Sequence, residues 1–336
     1  MRVLAIALFL HFLSRHLGYA LRDGWAQYEA EHIKNILAID EHPIRSLLSG
    51  SVSAVVLRNQ VSRAVVKKVL HNLDEELEIP LERVTRYTLY GTTVHNFMQR
   101  GSQGYSEYFN VSVPTAESKL KRAFQGIDGK ENPQSRFYSG IQDLANNFSV
   151  VSIAREPDGS RYSPGVIRIH PVGDSFPTHF DSLHADEWDK VRWKSRCPAT
   201  KSASHVTGTP RTAQFSISRF SHQLGGIMLL QSAGASADTP SSETVVYQYD
   251  YRKGLLGNCR LMGRSHIVGV NFQGFKTILA RNKIPKHVIS LRPGDMYLFN
   301  ANNVHQVLPV KGERPRVVFA AFLALNLDAK EIAVWS

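Results

Sequence analysis

The 336-residue sequence is poor in cysteine: Cys197 and Cys259 are too few for a disulfide framework or a thiolate zinc site, and are either two free thiols or one bridge. It lacks any apolar run long enough to span a membrane, the run Val3 to Leu13 being too short. Phosphate-loop and nucleophile-elbow patterns are missing, which removes two large groups of transferases and hydrolases. Internal repeats and low-complexity tracts are missing too, so neither a solenoid nor a disordered chain is expected. Acid is scarce relative to base, with 29 Asp and Glu against 40 Lys and Arg, a formal charge of +11. That excess suits an anionic partner, either a nucleic acid, a membrane surface or a carboxylate-rich small molecule, or it is simply a solvated basic surface. Because the basic residues are dispersed rather than blocked, no nucleic-acid partner is expected.

What is present is an ordinary globular composition, 43% hydrophobic and 21% charged, in a chain long enough for one large domain or two small ones. Arg2, the apolar run Val3 to Leu13 and the small residues Gly18 and Ala20 have the form of a signal peptide over residues 1–20. A buried amphipathic helix is the alternative, given His11, Arg15 and His16. The location is therefore either secretory or organellar, or cytoplasmic. The sequons at Asn110 and Asn147 matter only in the first case.

Residues 21–148 read as a helical support. Trp25 to Leu48 is helix-like with a break at Pro43, and Val52 to Leu57 is a short strand. Ser62 caps a helix whose apolar positions Val65, Val66, Val69, Leu70 and Leu73 recur at helical spacing. Ala116 to Phe124 and Phe137 to Asn146 are further helices. From residue 149 to 336 the pattern turns to strands. Val150 to Arg155 and Gly165 to His170, around Pro157-Asp158-Gly159, resemble a hairpin. Phe215 to Phe220, Gly225 to Gln231, Val245 to Tyr251, Val288 to Leu291, Met296 to Phe299, Val304 to Val310 and Arg316 to Leu325 read as further strands. Many short strands between turn signals predict a barrel or jelly roll. Residues 182–210, long, charged and bearing Trp188 and Trp193, read as a lid.

The chemistry centres on Thr178-His179-Phe180-Asp181. His179 and Asp181 are two apart, so on a strand both side chains point the same way and can share one ion. His305 follows 126 positions later (305 − 179), after the Pro293-Gly294-Asp295 turn and an apolar strand, and Arg314 and Arg316 come soon after it. Two imidazoles and one carboxylate on one face of a metal, with open positions opposite, form the donor set of non-haem Fe(II) sites. A core histidine kept for packing accounts for either His alone, but not for both together with Asp181 and the downstream Arg.

Taken together, His179-Phe180-Asp181, His305 and Gly312-Glu313-Arg314-Pro315-Arg316 resemble the Fe(II)/2-oxoglutarate-dependent oxygenases, chiefly over residues 150–326. The resemblance implies a mainly β fold, a double-stranded β-helix of cupin-like jelly-roll type with helical N-terminal support. It also implies Fe(II) held by His179, Asp181 and His305, with 2-oxoglutarate and O2 as cosubstrates. The distal carboxylate of 2-oxoglutarate would pair with Arg316 or Arg314. Both have the same strand parity, and Arg316 is favoured because it opens the apolar run Val317 to Phe322. Many relatives carry Ser or Thr two positions after this Arg, where this chain has Val318. Halogenases of the family have Gly or Ala at the position of Asp181, so the carboxylate argues for oxygenation.

The substrate implied is a small, anionic molecule of the amino-acid-derivative kind, handled by a monomer. Residues 86–181 resemble the algal kainoid synthases, natural-product enzymes that close a ring on a prenylated glutamate. Rival readings are a prolyl- or lysyl-type protein hydroxylase and a non-catalytic cupin-like metal-binding protein. His170 and His184 flank the motif; Arg155, Arg168 and Arg219 lie near the expected cavity mouth, each either a partner for a substrate carboxylate or a solvated charge.

Overall fold

A computed structural model describes residues 19–20, 25–146, 150–181, 214–234, 243–250, 279–326 and 331–336 of the protein. In chain order its elements are β1 (Tyr19–Ala20), β2 (Gln27–Ala30), α1 (Ile33–Leu37), α2 (Pro43–Ser49), β3 (Ala54–Leu57), α3 (Arg63–Glu76), β4 (Thr88–Gly91) and α4 (Gly101–Glu107). After a single wide turn at Tyr108–Ser112 come α5 (Val113–Ala123), α6 (Pro133–Leu144), β5 (Val150–Ile153), β6 (Val166–His170) and β7 (Phe176–His179). The remainder is β8 (His222–Gln231), β9 (Thr244–Asp250), β10 (Lys286–Ile289), β11 (Met296–Asn300), β12 (Asn303–Val307), β13 (Arg316–Leu325) and β14 (Glu331–Trp335).

Eight of these strands form the barrel. β11, β8, β13 and β6 lie side by side in the larger sheet, and β10, β9, β12 and β7 make the smaller one, every pair antiparallel. From β6 to β13 the chain alternates between the two sheets, apart from the β9–β10 pair within the smaller one. That winding is a double-stranded β-helix, the fold the strand spacing and the resemblance imply.

Strand β13 shows why a continuous apolar run was needed. All ten of its positions are buried. Val317, Phe319, Ala321 and Leu323 join Ile167 and Ile169 of β6 under the helices, against Val66, Val69 and Leu73 of α3, Leu120 of α5, and Phe137, Ile141 and Leu144 of α6. The alternate positions Val318 and Ala320 face inward with Val166 and Leu229. A strand covered on both faces loses the polar alternation of a surface strand. The helices are those the periodicity predicts: the Ser62 hydroxyl accepts from the Val65 amide at 3.3 Å to cap α3, and Asn132 caps α6 through Ser135.

Three local readings change. Within 25–48, Gln27–Ala30 is a strand parallel to β3, because its peptide groups find an open sheet edge there. The 21–148 segment thus adds β2, β3 and β4 to the larger sheet alongside its helices. β5 and β6 do not form a hairpin. They touch through a single bridge at Arg155 and Arg161, while β5 pairs parallel with β14 and both edges of β6 are taken by β13 and β4. Ser216–Arg219 is a short helical turn, since the Glu156 carboxylate accepts the Ser216 amide at 2.9 Å and Arg155 O accepts its hydroxyl at 3.0 Å. The suggested lid, His184, both cysteines, Asn147 and residues 1–18 of the suggested signal lie outside the described residues. Among the described residues no helix is long and apolar enough to cross a membrane.

The Pro293-Gly294-Asp295 turn ties the N-terminal strands to the barrel. Gly294 has φ +97°, and a Cβ there would fall 2.2 Å from Val61 O, so glycine is required. Fully buried Asp295 accepts from the Arg58 guanidinium at 2.5 Å and from the amides of Asn59 and Arg292 at 2.9 and 2.8 Å. Asp295→Ala leaves two amides unbonded and removes one of the two carboxylates on Arg58, which keeps Glu29 at 2.7 Å; a loss of about 1–3 kcal/mol is expected, read as a lower urea midpoint.

Candidate metal centre

The smaller sheet brings the three predicted ligands together. His179 ends β7, His305 lies in the middle of β12, and the two are direct partners across the ladder, with ring centroids 4.1 Å apart. Asp181 follows where β7 stops; its amide donates to Ala301 O at 2.9 Å, which turns its carboxylate back over the imidazoles. His305 Nε2 is 3.3 Å and His179 Nε2 3.9 Å from Asp181 Oδ2, and the three donor atoms lie within 4.8 Å of one another.

Each ring is oriented by its own strand. His179 Nδ1 donates to Pro177 O at 2.7 Å and His305 Nδ1 to Asn303 O at 2.8 Å. A carbonyl accepts only, so both Nδ1 atoms carry the proton and both Nε2 lone pairs are left for a cation. Phe176 meets the His179 ring edge-on at 4.5 Å, and Phe299 meets His305 at 4.7 Å. Burial, reinforced by the neighbouring His305, lowers His179 to a pKa of about 3, so it is neutral and ready to ligate. Burial alone would raise Asp181, but the adjacent His305 and His179 rings hold it well below the usual carboxylate range. Two neutral imidazoles and one carboxylate on a single face suit a divalent metal with open positions, and iron in particular.

The arginines separate by exposure. Arg316 is 3% exposed, opens β13 opposite His170 and points between the sheets beside Tyr297, while Arg314 is on the surface. Burial lowers the Arg316 pKa; the Tyr297 side chain opposes that shift and Arg168 adds to it. Arg155 is exposed and donates to Gly159 O at 2.9 Å, and exposed Arg219 lies 3.8 Å from Glu331 and stacks on Phe220. Arg168 differs. It is half-buried on the inner face of β6, with its guanidinium 5.8 Å from the centre of the Phe322 ring. His170 is buried, its Nδ1 2.9 Å from Asp174 Oδ2, and burial together with Arg316 and Arg168 pushes its pKa down to about 2. One neighbour had no signal in the sequence: His95, on the loop after β4, lies 5.1 Å from the Phe322 ring and within the field of Asp181.

With this geometry in view, residues 271–336 match the profile of a family described as "Carrier-protein-independent halogenase WelO5". The matched segment carries His305 and Arg316 and stops short of His179 and Asp181, which the smaller sheet supplies. Among solved structures, the chain is similar to an N-substituted L-amino acid dioxygenase from Burkholderia ambifaria AMMD (15% identity, 88% of this chain and 90% of that one, TM-score 0.47). It is also similar to the non-heme alpha ketoglutarate dependent epimerase SnoN from nogalamycin biosynthesis (10% identity, 87% and 84%, TM-score 0.39). A third is an oxidoreductase of the 2OG-Fe(II) oxygenase family from Burkholderia pseudomallei (11% identity, 83% and 87%, TM-score 0.36). Among curated proteins, no sequence matches the chain.

Proposed function

We propose that the protein is an Fe(II)/2-oxoglutarate-dependent oxygenase of a small molecule, with residues 149–336 as the catalytic core and 21–148 as its support. The observation that carries this is the His179–Asp181–His305 cluster, with both Nε2 atoms free and aimed at one point. His179, Asp181 and His305 hold Fe(II), and Arg316 takes the distal carboxylate of 2-oxoglutarate through a bidentate pair in a dry pocket. Bound iron and cosubstrate supply the oxidising power to remove hydrogen from an unactivated C–H bond. For hydroxylation, substrate, 2-oxoglutarate and O2 give hydroxylated product, succinate and CO2. For ring closure, the same inputs give a product lacking two hydrogens, with water in addition.

The chain's own part is to orient and to exclude water. Pro177 and Asn303 carbonyls fix the imidazoles, Phe176 and Phe299 wall them off, and Tyr297 steadies Arg316. The matched family's description names halogenation. Oxygenation is the reading here, because the Asp181 carboxylate occupies the metal face that a halide would need. An anionic amino-acid derivative suits the basic charge, and cyclisation of a prenylated glutamate is the sharpest form of the proposal.

Anaerobic addition of Fe(II) and 2-oxoglutarate is expected to produce a weak visible charge-transfer band. A protein that binds metal without this band would be a cupin-like binder. After O2 is admitted with a prenylated glutamate, mass spectrometry separates a product lighter by two hydrogens from one heavier by an oxygen; the latter alone would remove ring closure.

A further inference from the structure

Around the Phe322 ring, two buried nitrogens have nothing to bond. Arg168 Nε and His95 Nε2 are both shielded from solvent and without a hydrogen-bond partner among the described residues. They come from different elements, β6 and the loop after β4, and converge on one aromatic face, at 5.8 and 5.1 Å from its centre. His95 Nδ1 is 3.3 Å from the Thr93 hydroxyl, so Nε2 is the nitrogen left unbonded. Orphaned buried donors of this kind are costly and are normally satisfied by something.

Charge says what that something is. Arg168 and Arg316 contribute +2 and Asp181 −1, and no other carboxylate among the described residues pairs with either guanidinium within 4.0 Å. With a divalent metal the formal sum is +3, and a 2-oxoglutarate dianion still leaves +1. Arg168 is near enough to add to the shift of Arg316, but its guanidinium is directed along the strands to the Phe322 ring. Arg316 and Phe322 are six residues apart on β13, about 20 Å by strand rise. Yet the Arg168 charge reaches His179, and Asp181 and His95 act on each other, so the pair borders the metal centre.

We infer that Arg168 and His95, on the Phe322 ring, form a carboxylate subsite that binds the acid group of the organic substrate and aims it at the metal. This rests on the oxygenase reading above. The planar guanidinium stacks on Phe322 and offers its remaining N–H groups to one carboxylate oxygen, while His95 Nε2 donates to the other. The substrate class is thus a carboxylic acid with an apolar body, and its amide or ester is excluded.

The test uses the full chain, anaerobic and loaded with Fe(II) and saturating 2-oxoglutarate. The probes are N-alkyl-L-glutamates from butyl to decyl and their diamides, followed by calorimetry and by perturbation of the charge-transfer band. Acids are expected to bind roughly 10- to 100-fold tighter than diamides, the worth of one buried charge-assisted pair. Arg168→Met should erase that ratio, His95→Phe reduce it and Arg168→Lys partly restore it, each with 2-oxoglutarate affinity unchanged. Equal binding of acids and diamides, binding of neither, retention of the ratio in Arg168→Met, or an equal loss of 2-oxoglutarate affinity would each overturn the inference while the oxygenase reading stands. A wild-type protein with no charge-transfer band would overturn both.

Discussion

Replacement of His179 or His305 by alanine is expected to abolish the Fe(II)/2-oxoglutarate charge-transfer band and all substrate-dependent succinate formation. Removing an outer partner of a metal ligand typically costs about 10- to 100-fold in affinity or activity, and removing the ligand itself should exceed that. The argument rests on how little else these side chains do. Both rings are buried, yet each makes one hydrogen bond, to a carbonyl two residues back, and aims its other nitrogen at the Asp181 carboxylate. Alanine therefore forfeits a ligand and a modest amount of packing, and the metal-free protein should melt close to wild type. Isothermal titration with Fe(II), alongside a thermal melt of the metal-free protein, separates the two effects. Retention of the band in either variant would remove that histidine from the ligand set.

Arg316→Met is expected to weaken 2-oxoglutarate on the order of 100- to 1000-fold, the equivalent of losing one partner of a buried ion pair. Arg314→Ala should change it by less than about twofold, as expected for an exposed charge. Arg316→Lys should not rescue, because a point charge cannot reproduce a bidentate fork. A second, opposite signature accompanies the loss. Arg316 is 3% exposed and has no carboxylate partner among the described residues. Without cosubstrate it is a buried cation leaning on Tyr297, an arrangement that costs folding energy. Arg316→Met should therefore raise the melting temperature of the cosubstrate-free protein while lowering its affinity. A purely structural arginine would do the reverse, with stability falling and 2-oxoglutarate binding intact. If Arg314→Ala carried the loss instead, the anchor would be the neighbouring residue.

The candidate metal cluster was legible because its arrangement is local chemistry plus strand periodicity. Two residues of spacing put His179 and Asp181 on one face, and the Pro-Gly-Asp turn with its apolar strand marked where His305 would return. The helices α3 and α6 were legible from caps and apolar spacing. Other readings failed where pairing outranks local pattern. The alternation in Phe215 to Phe220 looks like a strand, but the buried Glu156 carboxylate draws the Ser216 amide into a turn. β5 and β6 flank a turn sequence, yet β14 and β13 are better partners because they complete a sheet.

By itself, then, the sequence determined the donor set, the alternation that builds a barrel and the two arginines from which a cosubstrate anchor had to be chosen. Only the tertiary structure buried Arg316 and left Arg314 on the surface, separated Arg168 from Arg155 and Arg219, and brought His95 within the field of Asp181. The reason is physical. Residue type and strand parity are carried within a few positions of the chain, whereas burial and the absence of a partner depend on segments far apart in sequence closing over the same point.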